Sequence, residues 1–153
     1  MSKKKGEKKS EKRDRNDKNS DYAKRYERGM NLLKKMGREG LMLDQKVLSP
    51  ELYDISVGHL FGDVWARPGL SLRERQLVTL AANIALARPT GNHSHYRSSE
   101  HLGITREEII EVIIQVGHYA GWPTISNAVR QYGAVIEEEE DIRTGKKKKR
   151  ELI

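Results

Sequence analysis

The stretch that decides the fold is residues 91–123, which read GNHSHYRSSEHLGITREEIIEVIIQVGHYAGWP. Thr105 and Glu108 have the spacing of a capping box, in which two side chains satisfy free backbone N–H groups in the first turn of a helix. Residues 109–116 form an apolar run with only two polar interruptions, which is too apolar for a free surface helix. We therefore expect a helix that is buried on most sides, preceded by a shorter helix over residues 92–102.

Helical periodicity and capping signals run through the rest of the chain. Pro50 directly after Ser49 is typical of the first turn of a helix, and Ser71 with Glu74 repeats the capping-box spacing. No segment alternates convincingly between apolar and polar residues, so we predict no strand. The sequence therefore predicts an all-α fold, a compact bundle of about six helices. The predicted helices cover roughly residues 22–36, 50–65, 72–88, 92–102, 106–120 and 123–140.

Charge divides the chain into a central domain and two basic ends. Of the 153 residues, 36% are apolar and 33% are charged, and the formal net charge is +7. Residues 1–20 carry nine Lys or Arg against four Asp or Glu, and residues 146–153 carry five against one. These ends lack aliphatic periodicity, so ordering them would cost entropy without burying apolar surface. We expect a disordered basic tail over residues 1–20, a helical domain over residues 21–145 and a basic C-terminal tail over residues 146–153.

Several classes of protein do not fit this composition. The chain has no Cys, which excludes disulfides, thiolate metal sites and thiol catalysis. It has no apolar run of 18 residues, and its N-terminus lacks the apolar core of a signal peptide, so we expect a cytoplasmic protein with no membrane partner. The tail lysines could contact a polyanion, but no aromatic residue precedes Tyr22 to stack on bases. Nucleic acid is therefore not the expected partner.

Helical spacing places several polar side chains on inward faces. In the short helix, His95 shares one face with Ser98 and Ser99, and these small residues favour close packing against another helix. In the helix before it, Gln76 and Asn83 lie on one polar stripe within an apolar sequence. Such a stripe either forms hydrogen bonds between helices or lines a wet pocket. We expect His95 to point inward, towards this stripe.

Two blocks of sequence, in a characteristic order and separation, carry a family resemblance. The first block comprises His95, Gly103, residues 104–109 (ITREEI) and residues 119–123 (YAGWP). The second block comprises residues 64–70 (VWARPGL), followed by Arg73, Leu77 and Thr79. Together they resemble the carboxymuconolactone decarboxylase family, which has the alkylhydroperoxidase D-like fold, and the second block is similar to its decarboxylase branch. The resemblance covers about residues 26–134.

The resemblance implies an enzyme that decarboxylates a carboxylated unsaturated lactone, such as 4-carboxymuconolactone in aromatic-acid breakdown. Loss of carbon dioxide leaves electrons that the conjugated lactone carbonyl can accept. The protein then has to bind the acid groups, stabilise the oxyanion and return a proton to carbon. Neither a cofactor nor a metal is expected. The peroxidase relatives use a Cys-x-x-Cys pair ahead of the family histidine, but Arg88 and Gly91 stand at those positions, so thiol peroxidase activity is excluded.

The same resemblance suggests roles for individual residues. His95 is the expected acid/base, because an imidazole exchanges protons near neutral pH. Gln76, at the position of a catalytic Glu in the peroxidase relatives, is expected to position the substrate. Arg67 or Arg97 would clamp a carboxylate with its planar fork of donors, although a structural salt bridge is the favoured interpretation of Arg97. Further candidates for substrate binding are Asn83, Tyr119 and Trp122, of which the bulky Trp122 departs from the small aliphatic residue usual in the family.

Two other functions remain open at this point. One is a related lyase or isomerase acting on another cyclic acid. The other is a non-catalytic helical scaffold with polyanion-binding tails, which the amide at Gln76, the indole at Trp122 and the basic tails suggest. In either case the apolar helices exceed what one small domain can cover, so we expect a homo-oligomer. A trimer or hexamer fits the resemblance best.

Overall fold

The computed structural model describes residues 20–40, 43–88 and 92–146, with the side chains of residues 43 and 44 left out. Within these ranges every regular element is a helix, which confirms the predicted all-α class. A π-helical segment, Ser56–Trp65, continues directly from the third α-helix. The α-helices are α1 (Asp21–Lys35), α2 (Leu43–Leu48), α3 (Pro50–Ile55), α4 (Leu72–Ala85), α5 (Asn92–His101), α6 (Arg106–Ala120) and α7 (Trp122–Arg143).

The predicted helices are confirmed, with ends that shift by a few residues. The helix that the sequence does not predict is α2, a six-residue helix with no capping signal in its sequence. The predicted tails lie almost wholly outside the described residues. One exception is Ser20, assigned to the N-terminal tail, whose hydroxyl accepts a hydrogen bond from the backbone N–H of Ala23 at 3.1 Å. Ser20 is therefore the N-cap of α1 and belongs to the helical domain.

Two apolar clusters form the interior. The first lies among α4, α5, α6 and α7, and the second lies between α1 and the pair formed by α3 and the π-helical segment. Leu102, at the end of α5, packs against both clusters and joins them. The first cluster comprises Leu80, Ile84, Tyr96, Ile104, Ile109, Ile113, Ala128, Tyr132 and Val135. The second comprises Leu33, Met36, Tyr53, Val57, Phe61 and Trp65.

Glycines bring α1 and the π-helical segment into backbone contact. A Cβ added at Gly29 would lie 2.0 Å from the carbonyl oxygen of Val57, and one added at Gly62 would lie 2.2 Å from the carbonyl oxygen of Arg25. Only a residue without Cβ permits such an approach. The side chain of Arg25 also pairs with Asp63 at 3.2 Å. The first half and the middle of α1 are therefore held firmly against this segment.

The helix α6, which contains the apolar run at residues 109–116, is less buried than the sequence predicts. Ile109 and Ile113 lie in the first cluster, but Ile110 and Ile114 are 48% and 42% exposed. Within one chain, α6 is thus covered on one side rather than on most sides, because only α4 and α7 pack against it extensively.

In the described part of the chain, no helix combines the length and apolarity needed to cross a membrane.

Candidate active site

The first component of the site is an arginine presented by the end of α1. Gly37 adopts a left-handed conformation with φ of +63°, and its N–H bonds to the carbonyl of Lys34 while the N–H of Arg38 bonds to the carbonyl of Leu33. These two bonds form a Schellman motif, in which glycine reverses the chain after the last helical turn. The residue after the glycine usually packs against the helix as an apolar contact. Here that residue is Arg38, which is only 9% exposed.

The second component is a hydrogen-bonded group of side chains on α4 and α5. Gln76, fully buried on α4, donates through Nε2 to the backbone carbonyl of His95 and to the hydroxyl of Ser99 at 3.3 Å. The Ser99 hydroxyl itself donates to the same carbonyl at 2.9 Å. The inward orientation predicted for Ser99 is confirmed by its contact with Gln76, and that of His95 by the contact of its ring Nδ1 with the same side chain. Gln76 therefore fixes where α5 lies against α4 at the level of the histidine.

These bonds also define which nitrogen of the His95 ring carries the proton. Because Nε2 of Gln76 faces a carbonyl, its Oε1 faces the ring and lies 3.2 Å from Nδ1 of His95. An amide oxygen accepts hydrogen bonds and cannot donate them, so Nδ1 must be the protonated nitrogen. The other ring nitrogen, Nε2, then carries the lone pair. Gln76 thus positions His95 with its basic nitrogen directed away from α4.

Arg38 is the second side chain whose polar atoms contact this imidazole. Its Nη1 lies 3.4 Å from Nδ1 and 3.5 Å from Nε2 of His95, and its Nη2 donates to the hydroxyl of Ser94 at 3.1 Å. The guanidinium carbon lies 5.6 Å from the centre of the Phe61 ring, which is within cation–π range. The Nε atom of Arg38 is buried and has no hydrogen-bond partner in the part of the chain that the structure describes. No carboxylate of the described residues forms an ion pair with Arg38, so the site holds a buried positive charge with unused donors.

Aromatic side chains of the π-helical segment close one side of the site. The rings of Trp65 and His95 are stacked, with centroids 6.2 Å apart and planes at 17°. Phe61 and Trp65 both belong to the second apolar cluster, whereas Gln76 and His95 sit on the helices that enclose the first. The candidate site therefore lies where the two halves of the fold meet.

Burial and charge shift the pKa values of both ionisable groups. Desolvation, and to a smaller extent the nearby positive charge of Arg38, lower the pKa of His95 to about 4. Desolvation also lowers the pKa of Arg38, to about 10. At neutral pH the guanidinium is charged and the imidazole is neutral. The pKa of His95 therefore lies below the near-neutral value expected from the sequence, which reveals neither the burial of the ring nor the cation beside it.

The other sequence-predicted residues lie away from the contacts of His95. The side chain of Arg67 is exposed, two residues after Trp65. Arg97 forms an ion pair with Glu138 of α7, the structural role favoured for it. Asn83 lies two turns along α4 from Gln76, about 10 Å along the helix axis. Tyr119 and Trp122, at the junction of α6 and α7, are 86% and 73% exposed.

Arg38 is the residue that sequence reasoning missed. It lies 57 positions from His95 in the chain, so no local spacing connects the two. One signal was present, since a glycine that ends an amphipathic helix is usually followed by an apolar residue, and here the residue is Arg.

In the described residues, no group of three or more His, Asp or Glu side chains is arranged to hold a metal ion. The chemistry available to the site is anion binding and proton transfer.

Comparisons with known proteins give one family match and two decarboxylases as relatives. The model of the carboxymuconolactone decarboxylase family matches residues 50–132, a range that includes Gln76 and His95 but not Arg38. The chain is 36% identical over 78 residues to a 4-carboxymuconolactone decarboxylase of Acinetobacter baylyi, which covers 51% of this chain and 58% of that protein. It is 33% identical over 69 residues to a nitrosuccinic acid decarboxylase of Metarhizium robertsii, which covers 45% and 48%. The chain thus spans roughly half the length of these relatives.

Proposed function

We propose that this chain, which belongs to the carboxymuconolactone decarboxylase family, is a cofactor-free decarboxylase of substituted dicarboxylic acids. The observation that carries the proposal is the buried guanidinium of Arg38, which has no carboxylate partner among the described residues and lies against a neutral imidazole. A buried cation without a counter-ion is costly to a protein unless an anion binds to it. A carboxylate substrate supplies that anion.

The names of two relatives support a common substrate skeleton. One is named for 4-carboxymuconolactone and the other for nitrosuccinic acid. Both compounds contain a succinate unit in which one carbon bears a carboxylate and an electron-withdrawing group. In the first compound that group is a conjugated lactone, and in the second it is a nitro group. We therefore take the substrate class to be a succinate substituted in this way, with 4-carboxymuconolactone as the first choice.

The reaction that such a skeleton permits needs no cofactor. When the carboxylate leaves as carbon dioxide, its bonding electrons pass to the lactone carbonyl or the nitro group, and a proton must then be added to carbon. His95 is the group in the site that can carry this proton, since its Nε2 atom has a free lone pair. Gln76 holds the ring in the orientation that the transfer requires. The aromatic side chains of Phe61 and Trp65 keep water away from this end of the site.

Arg38 is assigned to the carboxylate that the substrate retains. An arginine on the departing carboxylate would stabilise the ground state more than the transition state, in which that charge is being lost. On the retained carboxylate the same contact is kept throughout the reaction and holds the reacting carbon near His95. Arg67, which the sequence also suggested as a clamp, is exposed and close in the chain to Trp65. It is available to attract the anionic substrate rather than to hold it.

A comparison of two nitro acids tests the proposed substrate class. 2-Nitrosuccinate and 2-nitropropanoate both lose carbon dioxide from a nitro-bearing carbon, but only the first retains a second carboxylate. We expect the chain to release carbon dioxide from 2-nitrosuccinate faster than the uncatalysed rate. The kcat/KM for 2-nitropropanoate should be at least about 100-fold lower than that for 2-nitrosuccinate, because 2-nitropropanoate leaves the buried charge of Arg38 without a carboxylate partner. Equal values for the two acids would contradict the assignment of Arg38. No catalysis with 2-nitrosuccinate or 4-carboxymuconolactone would contradict the function itself.

A further inference from the structure

We infer, on the basis of the proposed function, that the retained carboxylate of the substrate draws Arg38 away from His95, and that His95 takes up a proton as the anion binds. Binding would then load the enzyme with the proton that the reaction later delivers to carbon. Three features of the site lead to this coupling, namely the tautomer of His95, the weak attachment of Arg38 and the charge balance of the occupied site.

The first feature is that the imidazole must be neutral in this structure. Nδ1 donates to the Oε1 atom of Gln76 at 3.2 Å, and Nε2 faces a guanidinium, which can only donate. A proton on Nε2 would therefore point at a cation. The other side chains in contact with the ring, from α4 and the π-helical segment, are Gln76 and Trp65, and neither carries a charge. In the described part of the chain, Arg38 is the charged group that touches the ring.

The second feature is that the guanidinium is held loosely. Its contacts to the two ring nitrogens measure 3.4 and 3.5 Å, longer than the 2.9 to 3.0 Å usual for such bonds. Because the two distances are nearly equal, Nη1 is not aligned with the lone pair of Nε2, and the protonated Nδ1 offers it none. Its contact with Ser94 has an ordinary length of 3.1 Å, and its Nε atom is unpartnered. A carboxylate offers two acceptor atoms to the fork of donors and forms shorter, stronger bonds. An arriving carboxylate therefore displaces the contact with His95.

The third feature is the balance of charge and of protons. A substituted succinate brings two negative charges next to a site that holds one positive charge. Protonation of Nε2 adds a second positive charge, which balances the two carboxylates. The carboxylates therefore favour the protonated imidazole, whereas Arg38 favours the neutral one. The chemistry also needs this proton. Replacing a carboxylate by hydrogen consumes one proton per turnover, since R–COO⁻ and H⁺ give R–H and carbon dioxide.

Succinate is a direct probe of this coupling, because it has both carboxylates but no electron-withdrawing group and cannot react. Isothermal titration of the full-length chain near pH 6, in two buffers with different heats of ionisation, measures the protons exchanged on binding. We expect uptake of close to one proton, and binding that weakens by up to about tenfold per pH unit above this range. In ¹⁵N spectra of histidine-labelled protein, one imidazole should change from neutral to protonated as succinate is added.

Two variants separate the coupling from a merely structural role. His95→Gln keeps a polar group in place and should bind succinate with no proton uptake. Arg38→Gln should weaken binding at least about tenfold, the equivalent of one charge-assisted bond, and should raise the pKa of His95 in the free protein. Arg143→Gln removes an exposed arginine of α7 that pairs with Glu140, and it serves as the control for loss of positive charge. This control should match the wild type in affinity and in proton uptake.

The inference is overturned if succinate binds without proton uptake, if the wild-type chain fails to bind succinate at any soluble concentration, or if His95→Gln takes up the same proton. These outcomes are distinct from failure of the proposed function. Proton-coupled binding of succinate by a chain that releases no carbon dioxide would refute the decarboxylase but leave the coupling intact. Decarboxylation with proton-free binding would refute the coupling alone.

Discussion

The guanidinium of Arg38 and the imidazole of His95 are in contact, with Nη1 lying 3.4 Å from Nδ1 and 3.5 Å from Nε2, although 57 positions separate them in the chain. The contact joins the end of α1 to α5 across the boundary between the two apolar clusters. It places a cation beside the one histidine that is held by Gln76. At neutral pH the imidazole is neutral, and the guanidinium has no carboxylate partner among the described residues.

The stability of the protein should fall as the pH is lowered from 7 to 5, because of His95. Its pKa in the folded chain is about 4, below the value of about 6.5 in an unfolded chain. Unfolding therefore takes up a proton in this range, and the stabilisation present above pH 6.5 is lost as the pH falls towards 4. The loss between pH 7 and 5 is about 2 kcal/mol. Urea unfolding at several pH values measures it, and His95→Gln should show a smaller decrease.

His95→Gln should preserve the fold but reduce turnover by about 10²- to 10⁴-fold, the usual contribution of a positioned acid or base. The amide can keep a hydrogen bond to Gln76 but cannot carry a proton. His93→Gln and His101→Gln on the same helix are the matched controls and should change turnover little. Initial rates and circular dichroism of all three variants check this. Near-normal turnover of His95→Gln would exclude the acid/base role, and loss of helical signal would assign the imidazole to structure.

Substitution of the three arginines should separate their roles. Arg38→Lys keeps the charge but loses the planar fork, so we expect KM to rise at least about tenfold. Arg97→Gln removes the ion pair with Glu138 and should lower the free energy of unfolding by about 1 kcal/mol or less, with little change in KM. Arg67→Gln should lower kcat/KM modestly at low salt, because Arg67 attracts the anionic substrate without holding it. A large rise in KM for Arg97→Gln with an unchanged value for Arg38→Lys would contradict this assignment.

Gly62→Ala should destabilise the protein strongly. The added methyl group would lie 2.2 Å from the carbonyl oxygen of Arg25, and backbone atoms of two packed helices cannot move apart cheaply. We expect a loss of at least about 2 kcal/mol in the free energy of unfolding. Gly133→Ala in α7 is the control, since nothing lies within 4 Å of the added atom. It should stabilise its helix by up to about 1 kcal/mol, and equal denaturation midpoints for the two variants would refute the close contact.

The exposed apolar side chains predict a homo-oligomer, and the family resemblance favours a trimer or hexamer. Ile110, Ile114 and Trp122 are between 42% and 73% exposed on α6 and the start of α7, and apolar patches of this kind are uncommon on monomers. Light scattering at micromolar concentration measures the mass directly. A particle of 17.5 kDa, the mass of one chain, would rule out assembly. Ile110→Glu should reduce the mass if α6 forms the interface.

Local signals predict most of the fold, and one half of the site. Capping boxes at Ser71 and Thr105 mark the starts of α4 and α6, as the structure confirms. The inward position of His95 follows from spacing within one helix, and it is confirmed by the contacts with Gln76. The position of Arg38 depends on the packing of α1 against the π-helical segment, which no pattern within either element encodes. The lowered pKa of His95 could not be predicted either, because it depends first on the burial of the ring and then on that distant cation.

The most direct test of the central claim is the release of carbon dioxide from 4-carboxymuconolactone by the purified full-length chain, measured beside His95→Gln with a metal chelator present. We predict stoichiometric carbon dioxide and lactone product from the wild-type chain, at a rate about 10²- to 10⁴-fold above that of the variant. A wild-type rate no higher than that of His95→Gln would contradict the assignment of His95 as the group that delivers the proton.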